Sequence, residues 1–135
     1  MRPVVAVMLY LSVGCGAAIG ALARYLAAPM MLALFGLGPL WATGFVNVAG
    51  SFIIGLFAAF CGPRGRLPVS PVIYLFVTTG FCGGFTTFSA MSLDTFTLAA
   101  AGELAAAGLY LGLSVALSLA AVWLGYGLAT RLNRY

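Results

Sequence analysis

Two charged residues, Arg24 and Asp94, stand inside long apolar runs of this sequence, and polar side chains recur around them at helical spacing. In hydrocarbon such groups are costly, so they face a cavity, a partner or an ion path. Thr43, Asn47 and Ser51 lie four apart and share one helix face, and Tyr110, Ser114 and Ser118 repeat that spacing further on. Small hydroxyl residues in membrane helices also bond their own i−4 carbonyl or glue helices together, so either serine alone carries little weight. Asn47 is different, because its amide in hydrocarbon needs a partner or an aqueous path. Together the two stripes read as the lining of a pathway. Arg24, about a turn from the end of its run, either serves that pathway or snorkels toward the headgroups. Asp94 either serves it or forms a structural ion pair or helix cap.

The stretch Thr78–Asp94 reads TTGFCGGFTTFSAMSLD. Gly80, Gly83 and Gly84, followed by Thr86, Thr87 and Ser89, weaken a helix in mid-membrane, each glycine costing roughly 1 kcal/mol relative to alanine. Irregular backbone at that depth is tolerated where it is buried in protein or lines a cavity. Carbonyls freed there can ligate a small hard cation. Phe81, Phe85 and Phe88 fall on one side by spacing; such a stripe packs as core or turns ring edges, which carry positive potential, toward an anion. Cys15, Cys61 and Cys82 form no CxxC pair and have no histidine to work with, which argues against a thiolate metal centre and rules out a Cys–His nucleophile. No enzymatic chemistry is expected.

Composition dictates the elements that must position these groups. Of 135 residues 64% are hydrophobic and 6% charged, with six basic side chains, all arginine, and two acidic ones. A soluble domain carries about 25% charged residues, and disorder needs the opposite composition. The net charge of +4 comes from a few arginines mostly in loops and tails, which makes no nucleic-acid surface. The chain therefore reads as an all-α membrane protein, one domain over residues 1–135. Its spans are Val4–Ala28, Leu40–Cys61, Pro71–Ala99 and Leu104–Ala129, each exceeding the ~20 residues that cross ~30 Å of hydrocarbon. Pro29 is expected to end the first span, and short links around Leu34–Pro39, Cys61–Pro71 and Gly102–Glu103 make the spans antiparallel neighbours in a compact bundle. Gly14, Gly16, Gly20, Gly50 and Gly55 read as close-packing positions. The N-terminal run is longer than the ~7–15-residue core of a secretion signal, and Leu11–Cys15 has Ser12 where a lipoprotein box has leucine, so no processing is expected. Arg2, Arg64, Arg66, Arg131 and Arg134 fall on the side of the termini and second link, with none on the other, so the positive-inside rule puts both termini in the cytoplasm.

The run Gly83-Gly84-Phe85-Thr86-Thr87-Phe88-Ser89 resembles the GG-x-TTFS signature of the Fluc/CrcB fluoride channels, and Phe45-Val46-Asn47-Val48-Ala49-Gly50 their VN-x-x-G element. Gly16–Arg24 and Tyr110-x-x-x-Ser114-x-x-x-Ser118 fit the same family, so the resemblance covers essentially the whole chain. It implies an antiparallel, dual-topology dimer in a bacterial inner (plasma) membrane, conducting fluoride passively out of the cytoplasm. It also implies a structural, non-transported Na⁺ at the dimer centre, held by the backbone carbonyls of Gly83 and Thr86 at the third-helix break. The implied fluoride pathway runs along Asn47, Phe88, Ser114 and Ser118, with Met91 beside them. Arg24 falls at an aqueous vestibule, with Thr43, Ser89, Asp94 and Tyr110 as polar support. Met91 stands where the family has a second phenylalanine and offers a soft thioether instead of a ring edge. Asp94 matches a family glutamate and is one methylene shorter. Arginines confined to one side do not suit insertion in both orientations, so two assemblies stand: an antiparallel homodimer, which is favoured, and a heterodimer with a paired homologue. Two other classes compete. A small four-span drug/proton antiporter needs an embedded acid in its first span, where this chain has Arg24. A structural tetraspan subunit would account for the glycines, but not for the polar break and both stripes together.

Overall fold

The computed structural model describes residues 3–63 and 65–133, and among these every regular element is helical. Arg2, Arg64 and Arg134, on which part of the expected orientation rests, lie outside the described residues. Helices α1 (Pro3–Phe35), α2 (Pro39–Cys61) and α6 (Leu104–Leu132) are continuous. The third span is assembled from α3 (Pro71–Leu75), a π-helical stretch (Phe76–Cys82), α4 (Gly83–Phe85) and α5 (Phe88–Ala100). Four spans are thus long and apolar enough to cross a bilayer, and the chain is a multi-pass membrane protein.

The helix ends follow from local chemistry. Proline opens α2 and α3, where a missing N–H removes no helical bond, and Ser70 Oγ accepts from Ile73 N at 3.4 Å. The expected stop at Pro29 is not one: the proline lies inside α1. It deprives the carbonyl four residues back, that of Tyr25, of its donor. Tyr25 and Pro29 both line an open cavity, where water can take that acceptor. The helix ends instead at Gly36, whose φ of 68° is a left-handed turn that disfavours any Cβ. Leu37 N closes it by donating to Met31 O at 3.3 Å.

Two glycine seams hold the bundle. In the first, α1 lies on the π-helical stretch and α4: a Cβ on Gly16 would meet the Phe76 carbonyl, one on Gly20 the Phe81 carbonyl, and one on Gly84 the Ala17 carbonyl. In the second, α2 lies on α6, with Gly55 against the Val122 carbonyl and Gly125 against that of Phe52. Lipid removes the hydrophobic drive between helices, so such close approach supplies the van der Waals contact that replaces it. Gly50 packs on the Thr86 methyl. Gly14, read from sequence as a packing position, faces open space, because two residues rotate it roughly 200° from Gly16. A small core of Ala27, Ala42, Val46 and Phe85 closes the bundle around these seams. At the far end of α6, Arg66 Nη1 donates to Leu132 O at 3.2 Å, Arg66 N to Asn133 Oδ1 at 3.1 Å, and Asn133 Nδ2 to Ala59 O at 2.8 Å. The second link and the end of α6 therefore share one side, as four antiparallel spans require.

Candidate functional site

Helix is lost for two residues of the third span. Within the run expected to weaken the helix, Thr86 (φ −79°, ψ 160°) and Thr87 (φ −152°, ψ 120°) are extended, whereas Gly83 and Gly84 stay helical. Gly84 is committed to the seam with α1, and the two threonines have other partners for their backbone. Thr87 N donates to Asn47 Oδ1 at 2.7 Å while Asn47 Nδ2 donates to Thr87 O at 2.9 Å. Thr87 Oγ1 accepts from Ala90 N at 3.1 Å, capping α5, and lies 3.2 Å from Ser89 Oγ. Arg24 Nη1 donates to Thr86 O at 2.9 Å, so its guanidinium turns into the protein rather than snorkelling outward. These bonds redirect the ladder. Gly83 O loses the Thr87 N–H that an α-helix would send it, and Thr86 O loses that of Ala90.

Three cavities meet at the break. The first, about 360 Å³, is lined by Asn47, Ser51, Thr86, Thr87, Phe88, Met91, Ser114 and Ser118, with Ile54, Val115, Leu119 and Val122 as its apolar wall. The second, about 410 Å³, continues from it past Ser51, Ile54 and Thr86 to Gly83, Cys82, Thr78 and Thr79. The third, about 430 Å³, lies on the other side of Thr87 and is lined by Arg24, Tyr25, Pro29, Thr43 and Ala90 among others. The break also separates the aromatic stripe that spacing placed on one side. Phe81 and Phe85 stack at 5.5 Å with Phe85 buried, while Phe88 is 75% exposed at the first cavity. Met91, by contrast, is 5% exposed and fills the cavity's inner wall.

The two polar stripes divide between these spaces. Asn47, Ser51, Ser114 and Ser118 line the first cavity. Thr43 lines the third and bonds the Pro39 carbonyl at 3.3 Å. Tyr110 leaves the cavity lining and donates its hydroxyl to Asp94 Oδ2 at 3.0 Å. Asn47 spends one amide hydrogen on Thr87 O and retains a second, since the side-chain amide has two donors. Sequence reasoning missed the apolar wall, although Val115 and Leu119 each follow a stripe serine by one residue and Val122 continues the stripe four residues after Ser118. It also missed Thr87 as the anchor: its type marks a helix cap, but its bonds to Asn47 have no local signal.

Residues 11–126 match the family described as CrcB-like protein, Camphor Resistance (CrcB). A protein of Brucella abortus biovar 1 (strain 9-941), named Fluoride-specific ion channel FluC 3, is 55% identical over 128 residues, 95% of this chain and 93% of that protein. Fluoride-specific ion channel FluC 1 of Rhodopseudomonas palustris (strain BisB18) is 52% identical over 126 residues, 93% and 89% of the two chains. Fluoride-specific ion channel FluC of Methylocella silvestris is 42% identical over 125 residues, 93% and 95% of the two.

Proposed function

The chain belongs to the CrcB family, and from that premise we propose that it is the subunit of a fluoride channel, letting F⁻ leave the cytoplasm passively and so relieving its toxicity. The observation that carries this reading is the first cavity: a retained Asn47 N–H, the Ser114 and Ser118 hydroxyls and the exposed Phe88 ring along one wall. Fluoride is small and strongly hydrated, so a pathway must replace its water with close donors. Amide and hydroxyl groups can donate, and a ring edge adds weak positive potential. Among the described residues no arginine lines this cavity, which suits conduction, since an ion has to leave as readily as it enters. Arg24 stands in the adjoining vestibule instead, and Met91 supplies a soft apolar wall where a ring edge is missing. The activity is conduction, with no enzymatic step.

The Asn47 amide and the Ser114 and Ser118 hydroxyls at this open cavity are a poor surface to present to lipid, and a second copy of the chain in antiparallel orientation would cover them. The favoured assembly is the homodimer, with a paired-homologue heterodimer as the alternative for a chain whose arginines lie on one side. A structural Na⁺ fits the break chemically. Gly83 and Thr86, whose carbonyl oxygens lose their α-helical donors, both line one cavity, and hard oxygen donors suit a hard cation. Two oxygens per chain leave such an ion under-coordinated, and two copies would double the set. Arg24 uses one lone pair of Thr86 O, which leaves the carbonyl its second. When bound, the cation supplies a fixed positive charge at the dimer centre.

Fluoride efflux from preloaded liposomes, with chloride as the control, tests the reading. Phe88→Ile removes the ring edge at similar volume and should lower fluoride efflux at least about tenfold, the equivalent of 1.4 kcal/mol on the barrier, with the dimer intact. Met91→Phe should be tolerated. Absence of fluoride-selective efflux from dimeric wild-type protein would return the chain to a structural role, and full efflux by folded Phe88→Ile protein would remove that ring from the pathway.

A further inference from the structure

A second groove along α6 lies away from the pathway. Phe52, Trp123, Leu124, Gly127, Leu128 and Arg131 line a cleft of about 320 Å³ between α2 and α6. At 100° per residue, Leu124, Gly127, Leu128 and Arg131 point roughly opposite to Val115, Leu119 and Val122, the α6 residues of the pathway wall. A cleft on that face looks into lipid. Its walls are apolar along most of their length and end in a guanidinium.

That guanidinium has no side-chain carboxylate within reach. Glu103 lies at the opposite end of the same helix, about 42 Å away, and Asp94 is bonded to Tyr110, about 32 Å from Arg131 along α6. A second positive charge stands close by instead, because Arg66 donates to the carbonyl of Leu132, the next residue. The depth is also suitable. At 29 residues α6 is about 43 Å long against ~30 Å of hydrocarbon, so its last turn lies at headgroup level. Trp123, 74% exposed, falls two turns before that end, toward the boundary that indole rings favour. Gly127 forms an open floor: a Cβ built there has no atom within 4 Å.

We propose that this cleft binds an anionic phospholipid, with an acyl chain lying over Gly127 against Phe52, Leu124 and Leu128 and the phosphate at Arg131. Basic pockets between membrane helices at this depth recognise anionic headgroups, each arginine near the surface favouring them by about fivefold or more. The inference stands on the membrane fold alone and is independent of what the pathway conducts.

The chain has two tryptophans, so Trp41→Phe leaves Trp123 as the sole indole reporter inside the cleft. In vesicles of mixed lipid, brominated phosphatidylglycerol should associate with Trp123 roughly fivefold more strongly than brominated phosphatidylcholine, read as fluorescence quenching. Arg131→Gln should bring the two lipids to parity. Gly127→Leu fills the floor without changing any charge and should abolish the preference as well. Arg131 is exposed and Gly127 faces open space, so neither change disturbs the bundle. Equal quenching by the two lipids in the parent protein would overturn the proposal. So would a preference that survives Arg131→Gln, or one that survives Gly127→Leu, which would mean diffuse surface attraction rather than a cleft.

Discussion

Upstream of Thr86 the third span meets α1 backbone to backbone, with Gly16, Gly20 and Gly84 each placed against a carbonyl of the facing helix. Downstream of Thr87 it is held by polar side chains reaching in from other spans: Asn47 on Thr87, and Tyr110 on Asp94. The first arrangement leaves no room for a Cβ between the third span and α1. The second leaves cavities, a spare amide hydrogen and an exposed ring. The contrast shows a division of labour within one span: the glycine seam ties it closely to α1, and the polar half carries the interrupted helix on side chains from other spans.

Gly84→Leu tests the seam and should have the largest effect. Its Cβ would run into the Ala17 carbonyl, a backbone atom that cannot swing aside, so a cost of about 3 kcal/mol or more is expected. The readout is loss of monodisperse protein after detergent extraction. Gly14→Leu, the same substitution two positions from Gly16 but into open space, should change stability by less than about 0.5 kcal/mol. Similar behaviour of the two variants would show that the seam has been misidentified.

Asn47→Leu tests the polar half. It leaves both the N–H and the carbonyl of Thr87 without their partner, at about 1–3 kcal/mol for each buried group. The expected outcome is a lower thermal midpoint together with collapsed fluoride efflux. Asn47→Asp keeps the acceptor for Thr87 N and loses the donor to Thr87 O, so it should melt between Asn47→Leu and wild type. A wild-type midpoint for Asn47→Leu would mean that the seam alone holds the break. The smallest effect belongs to Tyr110→Phe, which removes one hydrogen bond to Asp94, worth about 1 kcal/mol. Thermal denaturation should detect it while efflux stays within a factor of a few.

The comparison also explains what could be read from sequence. Four spans were legible because their composition leaves no alternative, and the paired stripes on α2 and α6 were legible because helical spacing alone sets a face. Asn47, Ser114 and Ser118 do meet at one cavity. Features fixed by distant partners were not legible. The Gly–Thr run marked the right region, and within it the interruption falls at Thr86 and Thr87 because Asn47, forty positions away, binds Thr87. Arg24 turned inward because its acceptor is a main-chain oxygen, which no residue pattern announces. Pro29 looked like a stop by type, while the real stop is Gly36, inside the link read at Leu34–Pro39, where the chain turns with a positive φ.

That misplaced stop has a mechanical consequence. With Pro29 absorbed, α1 runs for 33 residues, about 50 Å, and carries exposed apolar side chains from Val4 to Phe35. At 23 residues, about 35 Å, α2 nearly matches the bilayer core upright. Hydrophobic mismatch therefore acts on the two unequally: α1 has to lean or gather thicker membrane around itself, whereas α2 need not. Because Arg24 rides on α1 and grips the Thr86 carbonyl, a change in bilayer thickness that alters the lean of α1 pulls directly on the interrupted backbone. The long first helix is a lever, with the membrane at one end and the break at the other.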